Sequence, residues 1–351
     1  MRLHKKIYWK ISNRLEAFYK QTFKKGSGLL RERKDNRDFK GIGGFLDRFG
    51  ATTEIKEVNW IKDNYWFNQN PFNCCVFAAF TILMSHQSGI RFSVRWLVKL
   101  ARREGYISGN GWSFLKAALK CANKYGLLPY ELMPDEIVRP WEGRGANWEE
   151  YSKWTAEDEQ FLTEALKYKI SEYRSVSKSE VLKLLPAGYL VFTAVDWYSE
   201  MNNVTPPLYL LEQRGQKIGG HAIDIAGWKE YSKRFINPQT FGRQFGENGV
   251  AYFSDLWGVG KFSTYVISKL SIESRFEHFK KFYEGRVVRT KENPACYLIK
   301  EGKKYGILTE EMLKELMAKI GENKFDGDVK QDVLDMTELG GGGEVIIQNE
   351  V

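Results

Sequence analysis

From Cys75 to about Ser85 the chain is apolar nearly all round, "CVFAAFTILMS", which predicts a buried central helix. The residues before it, "NQNPFN", are polar. Ser93 is placed to cap a helix through "VRWLVKLARREG", which Gly105 ends. A third helix, "SFLKAALKCANKYG", puts Leu115, Ala118, Leu119 and Ala122 on one face and stops at Gly126. Residues 130–155 are irregular. Thr155 followed by Asp158 is a capping-box variant, and predicts a helix along "TAEDEQFLTEALKYKISEY".

The pattern then changes period. "GYLVFTAVDW" (188–197), "GHAIDIAGW" (220–228), "KRFIN" (233–237) and "GVAYFSD" (249–255) are short β-branched or aromatic runs bounded by Gly, Pro or Asn. A helical first half followed by a strand-rich second half predicts an α+β fold with two lobes, not alternating β-α-β units. A cleft between the lobes is the place to look for a site. Beyond about residue 286, "ACYLIKEGKKYGILTEEMLKELMAKIG" reads as a hairpin and then a helix, with Thr309 as its cap. The end of the chain, 336–351 with Gly340 to Gly343, reads as a flexible tail.

Composition narrows the picture. The chain has 351 residues, is 43% hydrophobic and carries 11 tryptophans, enough for a sizeable core. No run of 18 apolar residues occurs, so no membrane-spanning helix is expected. Residues 1–40 hold 13 Lys or Arg against four Asp or Glu, which accounts for the whole net charge of +9. The basic charge therefore belongs to an arm. Its apolar residues (Ile7, Tyr8, Ile11, Leu15, Phe18, Tyr19, Phe23) fall at helical spacing. Such an arm suits an acidic surface (membrane, nucleic acid or partner protein), or docks on its own protein with a solvated basic side. It lacks a secretory h-region and cleavage site, so a cytoplasmic setting is expected. Four cysteines, Cys74, Cys75, Cys121 and Cys296, form no dense framework, and reduced thiols are expected. Zinc spacing is absent, and neither a metal nor a cofactor is expected.

The candidate chemistry lies at Cys74 and Cys75. A thiol attacks as a thiolate, and a helix N-terminus beside an imidazole favours that form. Both cysteines sit at such an end, with Asn70 and Asn73 placed to cap it. His221, which follows "IGG" and opens a strand, is the best partner, and Asn237 ends a nearby strand with an amide able to hold the ring. His86 is about 16 Å down the helix and serves a different place. His4 and His278 lie in charged segments expected to be exposed.

On these residues the sequence resembles the papain-like cysteine proteases. In that family a Gln six residues before the nucleophile helps form the oxyanion hole, and Gln69 stands six before Cys75, which selects Cys75 over Cys74. "HAIDIAGW" resembles the family's histidine strand, and the family's span from Cys to His fits His221. "INPQTFGRQFGENGVAYF" resembles its Asn-Ser-Trp-Gly and Trp-Gly-Glu-Asn-Gly blocks. "GNGWSFLKAALKCANKYGLLPYE" resembles the stretch that offers backbone to substrate, which points to Asn110 and Gly111.

The resemblance covers roughly residues 35–260. It implies a papain-like two-lobed fold within 41–285, with a helical lobe over about 60–180 and an antiparallel β-rich lobe over about 186–270. An accessory module at 286–335 and the tail follow. The implied activity is cysteine endopeptidase, with a protein or peptide as substrate.

Departures leave three questions open. "FNCCV" differs from the family's C-G-[SA]-C-[WY] at Phe72, Cys74 and Val76, and losing the first Cys removes a disulfide of secreted members. "NPQTFG" has two extra residues, so aligning on Thr-Phe-Gly makes Gln239 the alternative ring-orienting residue. Cys74 reads either as a buried spacer or as a second reactive thiol. Active members often carry an N-terminal inhibitory segment, and residues 1–40 have the place for one. The competing readings are another Cys/His hydrolase, such as a peptidoglycan amidase, and a catalytically silent papain-like fold that binds. The segment from Glu292 resembles modules of phage and bacterial proteins, and a viral source would allow a place in the virion.

Overall fold

The computed structural model describes residues 29–30, 57–61, 65, 67–69, 72–109, 111–135, 147–206, 209–229, 231, 234–238, 240–254, 262–270, 278–279, 282–289, 295–301, 303–307, 309–320 and 325–326. The chain divides into two compact units, Met1–Gln87 with Arg91–Lys269, and Ser88–Ile90 with Leu270–Val351.

The first unit is built round helix α1, Cys75–Ser88. Its residues from Cys75 to Phe80 are wholly buried, as an all-round apolar sequence requires. Helix α2, Val94–Arg103, starts at Ser93, whose side chain accepts the Trp96 N–H at 3.1 Å. Asp135 adds a second cap from a distant loop, accepting the Arg95 N–H at 2.7 Å. Helix α3, Leu115–Tyr125, ends at Gly126, whose φ of +81° favours glycine. A Cβ there would lie 1.8 Å from the Ala165 carbonyl oxygen, so position 126 also excludes side chains by contact. Within the irregular stretch a short helix α4, Trp148–Ser152, is capped by Asn147.

The segment after Thr155 departs from the expected single helix. It forms a 3-10 turn at Ala156–Phe161, a short α5 at Leu162–Ala165 and a second 3-10 turn at Leu166–Tyr168. The capping box is present, with Asp158 accepting the Thr155 N–H at 2.6 Å. Asp158 is also held by Lys99 of α2 at 2.8 Å, and buried Tyr168 packs against Phe92. These tertiary ties outweigh helix propensity. Tyr173, expected at the end of the same helix, instead opens a strand, Tyr173–Ser175.

Two four-stranded antiparallel sheets make the rest of this unit. The strands are β1 (Val58–Asn59), β2 (Tyr173–Ser175), β3 (Val191–Tyr198), β4 (Lys217–Ile225), β5 (Gly227–Lys229), β6 (Arg234–Pro238), β7 (Val250–Ser254) and β8 (Tyr265–Ile267). One sheet has the order β2-β8-β3-β4 and the other β1-β5-β6-β7. Helix α6, Lys178–Leu184, starts with a capping box at Ser177. "HAIDIAGW" is thus two strands, divided at Ala226, where the chain passes from one sheet to the other. The Ala226 N–H donates to Ile236 of β6 at 2.9 Å.

The β3–β4 register sets Val195 opposite His221, Ala194 opposite Ala222 and Phe192 opposite Asp224. Strand alternation then divides the residues between two faces. His221, Ile223 and Ile225 share a face with Val195 and Trp197, and the four apolar residues belong to one core cluster. Ala222, Asp224 and Phe192 share the other, where Phe192 meets Phe80 of α1 with ring centroids 5.5 Å apart. The first unit is therefore α+β with antiparallel sheets.

The second unit contains a hairpin, β10 (Cys296–Lys300) and β11 (Lys303–Ile307), with β9 (Val287–Val288) and β12 (Phe325–Asp326), in the order β11-β10-β9-β12. Helix α7, Glu310–Ile320, follows, and the Thr309 hydroxyl accepts the Met312 N–H at 3.1 Å. His278, expected to be exposed, is buried here against Phe282. The aromatic cluster of Phe279 and Tyr283 accounts for the difference, because charge in the surrounding sequence does not report a local apolar pocket. No helix of the described residues is long and apolar enough to cross a membrane. Most of the basic arm, Asn110, Gln239 and the Gly-rich tail lie outside the described residues.

Candidate active site

Cys75 is the first residue of α1, and the opening N–H groups of a helix have no partner within it. Cys75 is 0% exposed. Burial pushes its thiol up to about 12, and three backbone N–H groups, of Ala222, Val76 and Cys75 itself, act in the opposite direction. The Ala222 N–H belongs to β4, one residue after His221. It thus brings the histidine strand onto the sulfur. Burial pushes the Cys74 thiol well above the ordinary range, and Cys75 beside it and then Asp135 act in the same direction. Adjacent cysteines at a helix start thus face different surroundings, and the one against the histidine strand is Cys75. All four cysteines are thiols, with no disulfide between them.

His221 is also 0% exposed. Its Nε2 faces the Thr240 hydroxyl at 3.3 Å. That hydroxyl in turn donates to Oε1 of Gln69, and the Gln69 N–H donates to the Thr240 carbonyl at 2.8 Å. The Gln69 amide nitrogen reaches the Phe72 carbonyl at 3.4 Å, on the approach to Cys75. Thr240 therefore ties Gln69 to His221. It was not singled out from the sequence, and the signal that could have found it is its place beside Phe241-Gly242 in "TFG".

Asn237 is buried on β6, and its amide nitrogen donates to the Asp224 carbonyl and, at 2.9 Å, to that of Pro238. Gly111 is buried with φ +122°, and a Cβ on it would stand 2.8 Å from the Asn73 backbone. Only glycine lets the chain pass so close to the backbone just before Cys75.

Aromatic rings wall the imidazole. Phe241 stacks on it at 5.0 Å and 9°, and Trp197 of β3 lies 4.5 Å away at 51°. Phe245 packs against Phe241 at 5.2 Å. Leu29 and Leu30 lie beside the histidine strand. Leu29 forms a parallel bridge with Ser113, and the Leu30 N–H donates to the Ser113 carbonyl at 2.6 Å. The Leu29 side chain also packs on Gly220, with Cδ2 3.0 Å from where a Cβ would stand. Leu29 and Leu30 thus lie across the residues beside His221 and beyond Gly111.

The fold is similar to those of solved structures. A cysteine protease from Xylella fastidiosa, xylellain, superposes with a TM-score of 0.57 over 71% of this chain and 98% of its own, at 18% identity. The chain has a papain-like fold. Procathepsin B S9 from Trypanosoma congolense superposes with a TM-score of 0.53 over 69% of this chain and 85% of its own, at 13% identity. The ragweed pollen cysteine protease Amb a 11, in its proform, gives 0.50 over 64% and 70%, at 15% identity. No protein-family model matches the sequence, and no curated protein matches it. In this papain-like fold, Cys75 and His221 come from the central helix and the facing sheet.

Proposed function

We propose that the chain is a cysteine endopeptidase that carries its own blocking segment. The observation that carries this reading is the N–H of Ala222, from the histidine strand, set on the sulfur of a cysteine at a helix N-terminus. The Cys75 thiolate attacks a peptide carbonyl, and a sulfur–carbon bond forms. The oxyanion is held by the Gln69 amide and the Cys75 N–H, with each such donor worth a few kcal/mol. As the carbon–nitrogen bond breaks, protonated His221 gives its proton to the leaving amine. Neutral His221 then takes a proton from water, which attacks the thioester; the carbon–sulfur bond breaks and releases the acid and the Cys75 thiolate, restoring the thiolate–imidazolium pair. Asn110 and Gly111 offer backbone to the substrate.

Ring orientation is assigned to Thr240 together with one of two amides, Asn237 or Gln239. Asn237→Ala and Gln239→Ala, compared for kcat, distinguish them: loss of about tenfold or more is expected in one variant and not the other.

Cys75 and His221 are fully buried, and Leu29 lies on the histidine strand at Gly220, where a blocking segment would run. That burial is also the observation that favours a silent, binding fold. Incubating the protein and Cys75→Ala with unfolded casein, and with peptidoglycan fragments in parallel, separates the readings. Casein fragments that need Cys75 are expected. Release from peptidoglycan instead would make the chain an amidase, and no Cys75-dependent product from either would leave the silent fold.

A further inference from the structure

The chemistry above uses one edge of the His221 ring and leaves unexplained a tryptophan packed against it. Trp197 is 1% exposed, and its centroid lies 4.5 Å from that of His221 and 5.7 Å from that of Phe241. With Phe241 stacked on His221, the two rings make a corner that holds the imidazole. Trp197 is itself fixed, because its indole N–H donates to Oδ1 of Asn202 at 2.9 Å. Asn202 belongs to the 3-10 turn Ser199–Asn202 directly after β3, so strand and turn together set the indole plane.

We propose that Trp197 is a positioning residue that holds His221 and favours its protonated form, with Asn202 as its anchor. This deepens the peptidase reading and rests on it. An aromatic face attracts a cation, and the attraction is largest where water is excluded. A wholly buried imidazole would otherwise be held neutral by desolvation, which works against a thiolate–imidazolium pair. The indole offsets part of that cost.

Cys75 of α1 approaches through Ala222. Asp196 lies on the opposite face of β3 and is tied to Lys217 at 2.6 Å. Asp224 lies on the opposite face of β4.

The test is the titration of His221 by NMR on protein with labelled histidine, in a Cys75→Ala background, with His221→Gln to assign the signal. Trp197→Leu keeps the surroundings apolar and removes the aromatic face. The expected result is a fall of about one pKa unit in His221, restored in Trp197→Phe. Asn202→Leu, which keeps the indole and removes its anchor, should give a smaller fall in the same direction and serves if Trp197→Leu does not fold. In the active chain the alkaline limb of kcat/KM should fall alike, with the acid limb unmoved, because His221 is protonated on both sides of the acid limb. A titration unmoved in Trp197→Leu, or in Asn202→Leu where that variant serves, overturns the proposal. The NMR readout needs no turnover. A chain that cleaves no peptide while its His221 titration moves loses the peptidase reading and keeps this one.

Discussion

At Cys75 two effects oppose each other, and their balance sets when the thiol can act. Burial holds the proton on sulfur, while three N–H groups favour the thiolate. Uncovering the site weakens the first and leaves the second, so access and reactivity rise together. At Asp224, three residues from His221 and on the other face of β4, burial wins: it pushes the pKa well above the ordinary value, with only its own backbone N–H acting the other way, and neither carboxyl oxygen has a side-chain hydrogen-bond partner among the described residues. A carboxyl with a raised folded pKa lends stability fully below its unfolded pKa of about 4, and that stability is lost as pH rises toward the folded value. Asp224→Asn does not titrate. Urea melts from pH 4 upward should therefore show wild type losing stability relative to the variant as pH rises. Parallel curves would contradict this. Asp224 was not legible in the sequence, because a lone Asp in a strand does not reveal which face is buried or what it meets there. The places of Cys75 at a helix start and His221 on a strand were legible, because the apolar run and the Gly-flanked strand are local patterns.

At the scale of elements, the helices with local signals were read most fully. Ser93 marks the start of α2, Gly126 the end of α3 and Thr309 the start of α7, and in each case the signal lies within a few residues of the boundary. The run after Thr155 was misread because its conformation is set by a residue 59 positions away. Lys99 and Asp158 are both buried and meet at 2.8 Å. Lys99→Met would leave the Asp158 charge buried without its cation, at a cost of about 3–5 kcal/mol. Lys99→Met combined with Asp158→Leu removes both charges and loses chiefly the cap at Thr155, about 1 kcal/mol. Chemical denaturation of the two variants checks this, and equal losses would mean that the pair does not tie α2 to the turn. Strand β2 and the break at Ala226 also depend on partners far along the chain, which period-two patterning does not show.

For the whole molecule, Leu29 and Leu30 meet residues far along the chain. Leu29 reaches Ser113 and Gly220, contacts that no local pattern in the basic arm announces. A charge at this apolar seat should displace the segment without touching Cys75 or His221. Labelling by a peptidyl epoxide, located by mass spectrometry in a Leu29→Asp chain, tests the central claim most directly. The expected adduct is on Cys75, faster than in wild type, retained in Cys74→Ala and lost in His221→Ala. An adduct on Cys74, or one on Cys75 that forms equally well without His221, would contradict the account.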